Sequence, residues 1–174
     1  DVYGKKVTED DFLGIYSDVL GSRTPPVLYK AAYIAYRNRN YARFENILKT
    51  LIKNNPDTGR AFFMLMKFFL DSNRTEELEE LKTKMSVKLK NTLQYKLFES
   101  DYFSFRGLYP NSLYVSENTY HEYRSHPVAA IYFAMALEEF GSIKESLKQR
   151  MELLRNLPYF FPVLERTWEL AQTT

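Results

Sequence analysis

The fold is decided by the stretch PVAAIYFAMALEEFGSIKESLKQRMELLRNLPYF at residues 127–160. Apolar residues recur at helical spacing from Val128 to Phe140, and Gly141 closes this first helix. Ser142 opens a second helix, which ends before Pro158 because a proline disfavours the α conformation in the residue that precedes it. The stretch therefore predicts two short helices joined by a tight turn.

Working outward, residues 25–58 carry the same pattern, and their second helix ends before Pro56. Pro56 and Pro158 lie 102 residues apart, which is three times 34. A constant period of this length indicates a repeat protein built from helix pairs. Placing both prolines at position 32 divides the chain into four windows, at residues 25–58, 59–92, 93–126 and 127–160.

Three other positions agree with this register independently of the prolines. Position 8, where the two helices of a pair approach, holds Ala32, Met66, Ser100 and Ala134. Position 11, which should be apolar, holds Ala35, Phe69, Phe103 and Leu137. Position 15, the turn between the helices, holds Arg39, Asn73, Gly107 and Gly141.

In these features about 136 of the 174 residues resemble the tetratricopeptide repeat (TPR) family, whose period is 34. The resemblance implies an all-α, right-handed superhelix of antiparallel helix pairs. We expect one helical-repeat domain over residues 1–174, with capping helices near 8–20 and 162–172, because an array needs its end faces covered. The alternative is a generic helical bundle whose prolines happen to have this spacing.

The third window is the weakest match to the family. It has Lys96 and Glu99 at positions that are usually apolar, and polar residues fill its second half between Pro110 and Ser125. We therefore expect regular helix pairs in windows 1, 2 and 4 and a distorted window 3.

Composition argues against several other classes of protein. A net charge of +2 with mixed signs does not favour a nucleic-acid partner, and the absence of cysteine excludes disulfides and thiolate metal sites. No apolar run approaches the roughly 20 residues of a membrane helix, so direct membrane insertion is not expected. No signal peptide opens the sequence, and nothing in it indicates a compartment.

Catalytic patterns are also missing from the sequence. His121 and His126 lie five residues apart, outside the spacing that places two ligands on one helix face, and no Gly-rich phosphate loop is present. We therefore expect no metal, no cofactor and no enzymatic activity.

The TPR resemblance implies a concave groove lined by the first helix of each pair, which would bind a peptide or a partner protein. Tyr29, Tyr33 and Tyr36 are spaced four and three residues apart, so they share one helix face. With them, Arg37, Arg60, Phe63 and Lys67 form the predicted partner-binding site. The alternative is that the tyrosines pack beneath the N-terminal helix as ordinary core.

One TPR subclass grips the C-terminal carboxylate of heat-shock chaperones with a clamp of lysine, asparagine and arginine. Tyr29, Tyr33 and Lys67 stand where that clamp would require other residues, so this class of partner is not expected. Helical-repeat RNA binders use a polar side-chain code that the aromatic groove lacks. We predict a non-catalytic protein-binding scaffold, and the alternative is a self-assembling subunit, dimerising through aromatic surfaces or end repeats.

Overall fold

The computed structural model describes residues 24–173, so the predicted helix over residues 8–20 lies outside the described part. Within residues 24–173 the chain forms ten α-helices and no strand. In chain order they are α1 (Pro25–Arg37), α2 (Tyr41–Asn54), α3 (Gly59–Asp71), α4 (Thr75–Thr83), α5 (Val87–Lys90), α6 (Leu93–Phe105), α7 (Tyr109–Glu122), α8 (Pro127–Phe140), α9 (Ile143–Asn156) and α10 (Phe161–Thr173).

The helices follow the 34-residue period. The first helices of successive pairs, including α10, begin 34 residues apart, at Pro25, Gly59, Leu93, Pro127 and Phe161. The second helices keep the same interval, beginning at Tyr41, Thr75, Tyr109 and Ile143. This periodicity agrees with the register read from the sequence, and it makes α10 the first helix of a fifth window.

The turn inside each pair uses one backbone conformation. Position 15 has a positive φ in every window: 60° at Arg39, 54° at Asn73, 69° at Gly107 and 95° at Gly141. This left-handed conformation ends a helix tightly and favours glycine, which has no Cβ to clash with the backbone. Two windows therefore use glycine at this position, and two hold a larger residue in a strained conformation.

Helix contacts divide the chain into two compact units, one up to Leu89 and one from Lys90 onward. In the first unit α1, α2, α3 and α4 pack in succession around a core that includes Leu48, Phe62, Leu65 and Met66. In the second unit α6 to α10 pack in succession, and α6 also contacts α8. A single domain over residues 1–174 stays a prediction.

The expectation of a distorted window 3 is wrong, because α6 and α7 are regular helices of 13 and 14 residues. Their contact is polar where an apolar one was expected. The buried Ser100 hydroxyl lies 3.0 Å from that of Ser112 and 2.6 Å from that of Ser116. Small side chains allow the helices to approach closely, and the hydroxyl groups satisfy one another, so burial carries little penalty. Apolar periodicity could not detect such a contact.

Window 2 is instead the irregular one. Its second helix, α4, ends at Thr83, and the short α5 follows after a break. The Ser86 hydroxyl accepts a hydrogen bond from the Leu89 backbone N–H at 3.3 Å and so caps α5. A serine that bonds the backbone locally competes with continuation of the helix. Met85 and Leu89 nevertheless remain buried, so the break keeps the apolar side of the segment against its unit.

Candidate partner-binding surface

Residues of α1 and α3, together with Phe44 of α2, line an open groove of about 440 Å³ in the first unit. We call it the aromatic groove, and its lining combines aromatic rings with one lysine and one aspartate: Tyr33, Tyr36, Phe44, Phe63, Met64, Lys67, Phe68 and Asp71. Tyr33 and Tyr36 are 47% and 44% exposed, so about half of each side chain is available for contact.

A second groove of about 350 Å³ adjoins it. We call it the basic groove, and it is lined by Pro26, Tyr29, Lys30, Tyr33, Arg60 and Met64. Tyr33 and Met64 line both grooves, so the two form a continuous surface. This surface extends from the beginning of α1 to the end of α3.

Tyr29 is the most firmly held of the three tyrosines. Its hydroxyl lies 2.5 Å from the Thr58 hydroxyl, and the Arg60 guanidinium lies 4.7 Å from the centre of its ring. A cation over an aromatic face is held by the ring quadrupole. Because both contacts restrain the ring, Tyr29 forms a rigid wall of the basic groove.

Tyr36 belongs to an aromatic cluster at the other end of the surface. Its ring centre lies 5.2 Å from that of the buried Phe44, 5.8 Å from that of Tyr41 and 6.5 Å from that of Phe68. These separations are typical of packed aromatic pairs. The cluster fixes the ring from behind and leaves its outer side facing solvent.

The charge of the surface is mainly positive. Lys30 and Arg60 form no salt bridge with any residue in the range 24–173, although both contact tyrosine rings, with the Lys30 ammonium 5.5 Å from the ring centre of Tyr33. Lys67 pairs with Asp71 at 3.1 Å, but both side chains are half exposed, so this pair is weak and open to exchange. The surface therefore offers aromatic area beside cations that lack carboxylate partners among the described residues.

The structure brings six of the seven predicted residues to these two grooves. Tyr33, Tyr36, Phe63 and Lys67 line the aromatic groove, and Tyr29 and Arg60 line the basic one. Arg37 is exposed at the end of α1 and lines neither. That the surface binds a partner stays a prediction.

The sequence did not predict six of the lining residues, which are Pro26, Lys30, Phe44, Met64, Phe68 and Asp71. Lys30 and Met64 both occupy window position 6, which neighbours the predicted face. Lys30 lies three residues before Tyr33 and Met64 four residues after Arg60, so helical spacing would have found both. Phe44 and Phe68 gave no such signal. They lie on other helix faces and reach the groove through the packing of α2 and α3.

Residues 24–173 lack two other features that could carry a function. No cluster of histidine, aspartate and glutamate side chains there could hold a metal ion. None of the helices from α1 to α10 has the length and apolar character needed to span a membrane.

Among solved structures, the chain is similar to a thermophilic TPR protein of Thermus thermophilus. The TM-score is 0.73 at 14% sequence identity, over 94% of this chain and 91% of the other. No protein-family profile matches the sequence, and no curated protein matches it significantly. At this identity the likeness shows the fold alone. The prediction of an all-α, TPR-like helical-repeat fold is confirmed.

Proposed function

We propose that the chain is a non-catalytic protein-interaction module that binds a protein segment across the aromatic and basic grooves. The segment would place an apolar or aromatic side chain between Tyr33 and Phe63, and would bring carboxylates to Lys30 and Arg60. The observation that supports this most directly is the continuous open surface in which half-exposed tyrosines stand beside cations without carboxylate partners in residues 24–173.

Tyrosine suits this role because it offers a large contact area and a polar tip, and it has few rotamers to lose on binding. Tyr29 and Tyr36 are already restrained by contacts within the unit, so ordering them in a complex costs little. The cations would select acidic segments and raise the association rate, an effect that salt weakens.

The rival explanation is that residues 1–23 cover this surface in the full chain, as the predicted N-terminal cap. The two explanations differ in what removal of these residues does. If they cover the grooves, their removal exposes new binding capacity. If the grooves are open, their removal leaves partner binding unchanged.

The test is affinity pull-down with quantitative mass spectrometry, which compares the wild type with Tyr33→Ala plus Lys67→Glu. We expect specific partners to be lost at least about tenfold, since truncating an anchor residue costs more than about 1.4 kcal/mol. The matched control is Tyr114→Ala plus Lys88→Glu, which changes an exposed tyrosine and an exposed lysine outside both grooves.

Circular dichroism shows whether each variant keeps its helical content. Equal recovery of every specific partner by the folded groove variant contradicts the proposal. A chain that lacks residues 1–23 is the third arm, and new partners recovered only with that chain favour the rival.

A further inference from the structure

A second apolar surface lies in the other unit, between α9 and α10. It is an open groove of about 690 Å³ with an apolar floor. We call it the C-terminal groove, and it is lined by Leu147, Met151, Leu154, Arg155, Leu164, Glu165, Thr167, Trp168 and Ala171. Trp168 is 70% exposed, and none of the described residues covers it.

The repeat register explains why this groove is open, because no described helix packs on α10 where a second helix packs in windows 1 to 4. Trp168 is at position 8 of the fifth window, where the other four windows hold Ala32, Met66, Ser100 and Ala134. Those four residues are at most 4% exposed, because the second helix of the pair packs on them. The other face of α10 packs against α9, and its residues Val163, Thr167 and Leu170 are buried there.

An ordinary second helix does not suit this face. Helices pack at 8–10 Å separation, and small or flexible residues at position 8 permit that approach in windows 1 to 4. A rigid indole at the same position holds a single helix away and leaves gaps on both sides of the ring. A wider surface made of two helices, with a groove of its own, accommodates the ring better.

The charges at the groove identify such a surface. Arg155 on α9 and Glu165 on α10 are exposed, lie on opposite sides of the groove near the turn that joins the helices, and form no ion pair within residues 24–173. A two-fold axis along the groove places α9 of one copy over α10 of another. In that arrangement each Arg155 would face Glu165 of the second copy, and the two indoles would meet near the axis.

We propose that the C-terminal groove is a two-fold dimerisation surface whose occupant is a second copy of this chain. Helices of 13 and 14 residues are about 20 Å long, so the paired face measures about 400 Å² per copy. A standard interface uses about 800 Å² per partner. At about half that size, the contact suits a weak, reversible association.

Analytical ultracentrifugation of the full chain from about 1 to about 500 µM tests this, because a small interface associates only weakly. Trp168 is the only tryptophan in the sequence, so its emission reports this one surface. We expect a dimer at the upper concentrations and a blue shift of the emission that follows the dimer fraction. Trp168→Ala abolishes the dimer without loss of helical content, because the side chain is exposed.

Charge reversal supplies the sharper arm. Arg155→Glu and Glu165→Arg each place like charges at both contacts, so each variant alone dimerises at least about tenfold more weakly than the wild type. A 1:1 mixture of the two restores opposite charges at both contacts and forms a heterodimer. The double variant of the aromatic groove, Tyr33→Ala plus Lys67→Glu, dimerises as strongly as the wild type.

Two results overturn the proposal. One is a wild type that stays monomeric through the whole concentration range, with constant emission. The other is that each charge-reversal variant alone dimerises as strongly as the wild type, which would place the contact on another face. Recovery of a dimer in the mixture also shows that both single variants are folded.

Discussion

The Glu138 carboxylate, whose side chain is 12% exposed, is a contact whose loss we expect to destabilise this protein strongly. One of its oxygens, Oε1, accepts hydrogen bonds from the Ser146 hydroxyl at 3.1 Å and from Arg150 Nε at 2.8 Å. The other, Oε2, accepts from Arg166 Nε at 2.9 Å. The group therefore joins α8, α9 and α10, and Arg150 is only 4% exposed. Glu138→Leu leaves that guanidinium buried without its carboxylate.

Breaking a buried ion pair from one side costs about 3–5 kcal/mol, whereas replacing both partners by apolar residues can be close to neutral. We expect Glu138→Leu to lower the free energy of unfolding by about 3–5 kcal/mol. Arg150→Met should cost less, because Glu138 keeps its hydrogen bonds from Ser146 and Arg166. The double variant should lose far less than the sum, because it leaves no uncompensated charge. A loss of this size lowers the melting temperature of a chain this long by about 6–20 °C.

The assay is urea unfolding followed by circular dichroism, with Trp168 fluorescence as a local probe of α10. Two probes are needed because helical-repeat chains can unfold in parts, and coincident transitions are the condition for a single free energy. The matched control is Glu139→Ala, which changes the exposed neighbouring glutamate and should stay within about 0.5 kcal/mol of the wild type.

Two results would refute the reasoning about Glu138. A Glu138→Leu variant that loses less than about 1 kcal/mol would show that Arg150 finds another partner or reaches water. Strict additivity in the double variant would show that the two side chains do not depend on each other.

Two further predictions concern the turns and the pH dependence. Arg39→Gly removes a strained left-handed residue and should raise the free energy of unfolding by about 1 kcal/mol. Gly141→Ala should lower the free energy of unfolding by about 1–2 kcal/mol, because φ is 95° there even though the space around the Cβ position is open. A change of the opposite sign for either variant in urea unfolding would contradict the account of position 15. The hydrogen bond from Arg74 is the main cause that holds the pKa of Glu45 below its usual 4.5. The unfolded chain therefore binds the proton more tightly than the folded chain does. The stabilisation by this carboxylate is present above pH 4.5 and is lost as the pH falls through the lower pKa of the folded state. We therefore expect Glu45→Gln to flatten the loss of stability between about pH 5 and about pH 3 in acid titrations, and an unchanged slope counts against it.

Much of the fold could be predicted because its signals are local. Proline and glycine positions, cap residues and apolar spacing act within one helix turn, and they set the starts of the helices and the left-handed turns at Arg39, Asn73, Gly107 and Gly141. The same local rules misjudged window 3. Ser112 and Ser116 read as polar filling, but they are buried against Ser100, which lies 12 and 16 residues away in sequence.

The candidate site divides in the same way. The spacing of Tyr29, Tyr33 and Tyr36 on α1 is a property of one helix, and the structure places all three on the two grooves. Phe44 and Phe68 join them only because α2 and α3 pack beside α1, which no periodicity within one segment can show.

The sequence by itself determined the 34-residue period, the helix pairs and the tyrosine stripe, since each depends on residues a few positions apart. Tertiary structure alone decided which polar residues are buried and which apolar residues are open. Arg150 is a charged residue, and its burial depends on Glu138 from the preceding helix. Trp168 would count as core by composition, yet it is exposed because none of the described residues packs on its side of α10. Burial depends on which neighbours arrive, and those neighbours come from other helices.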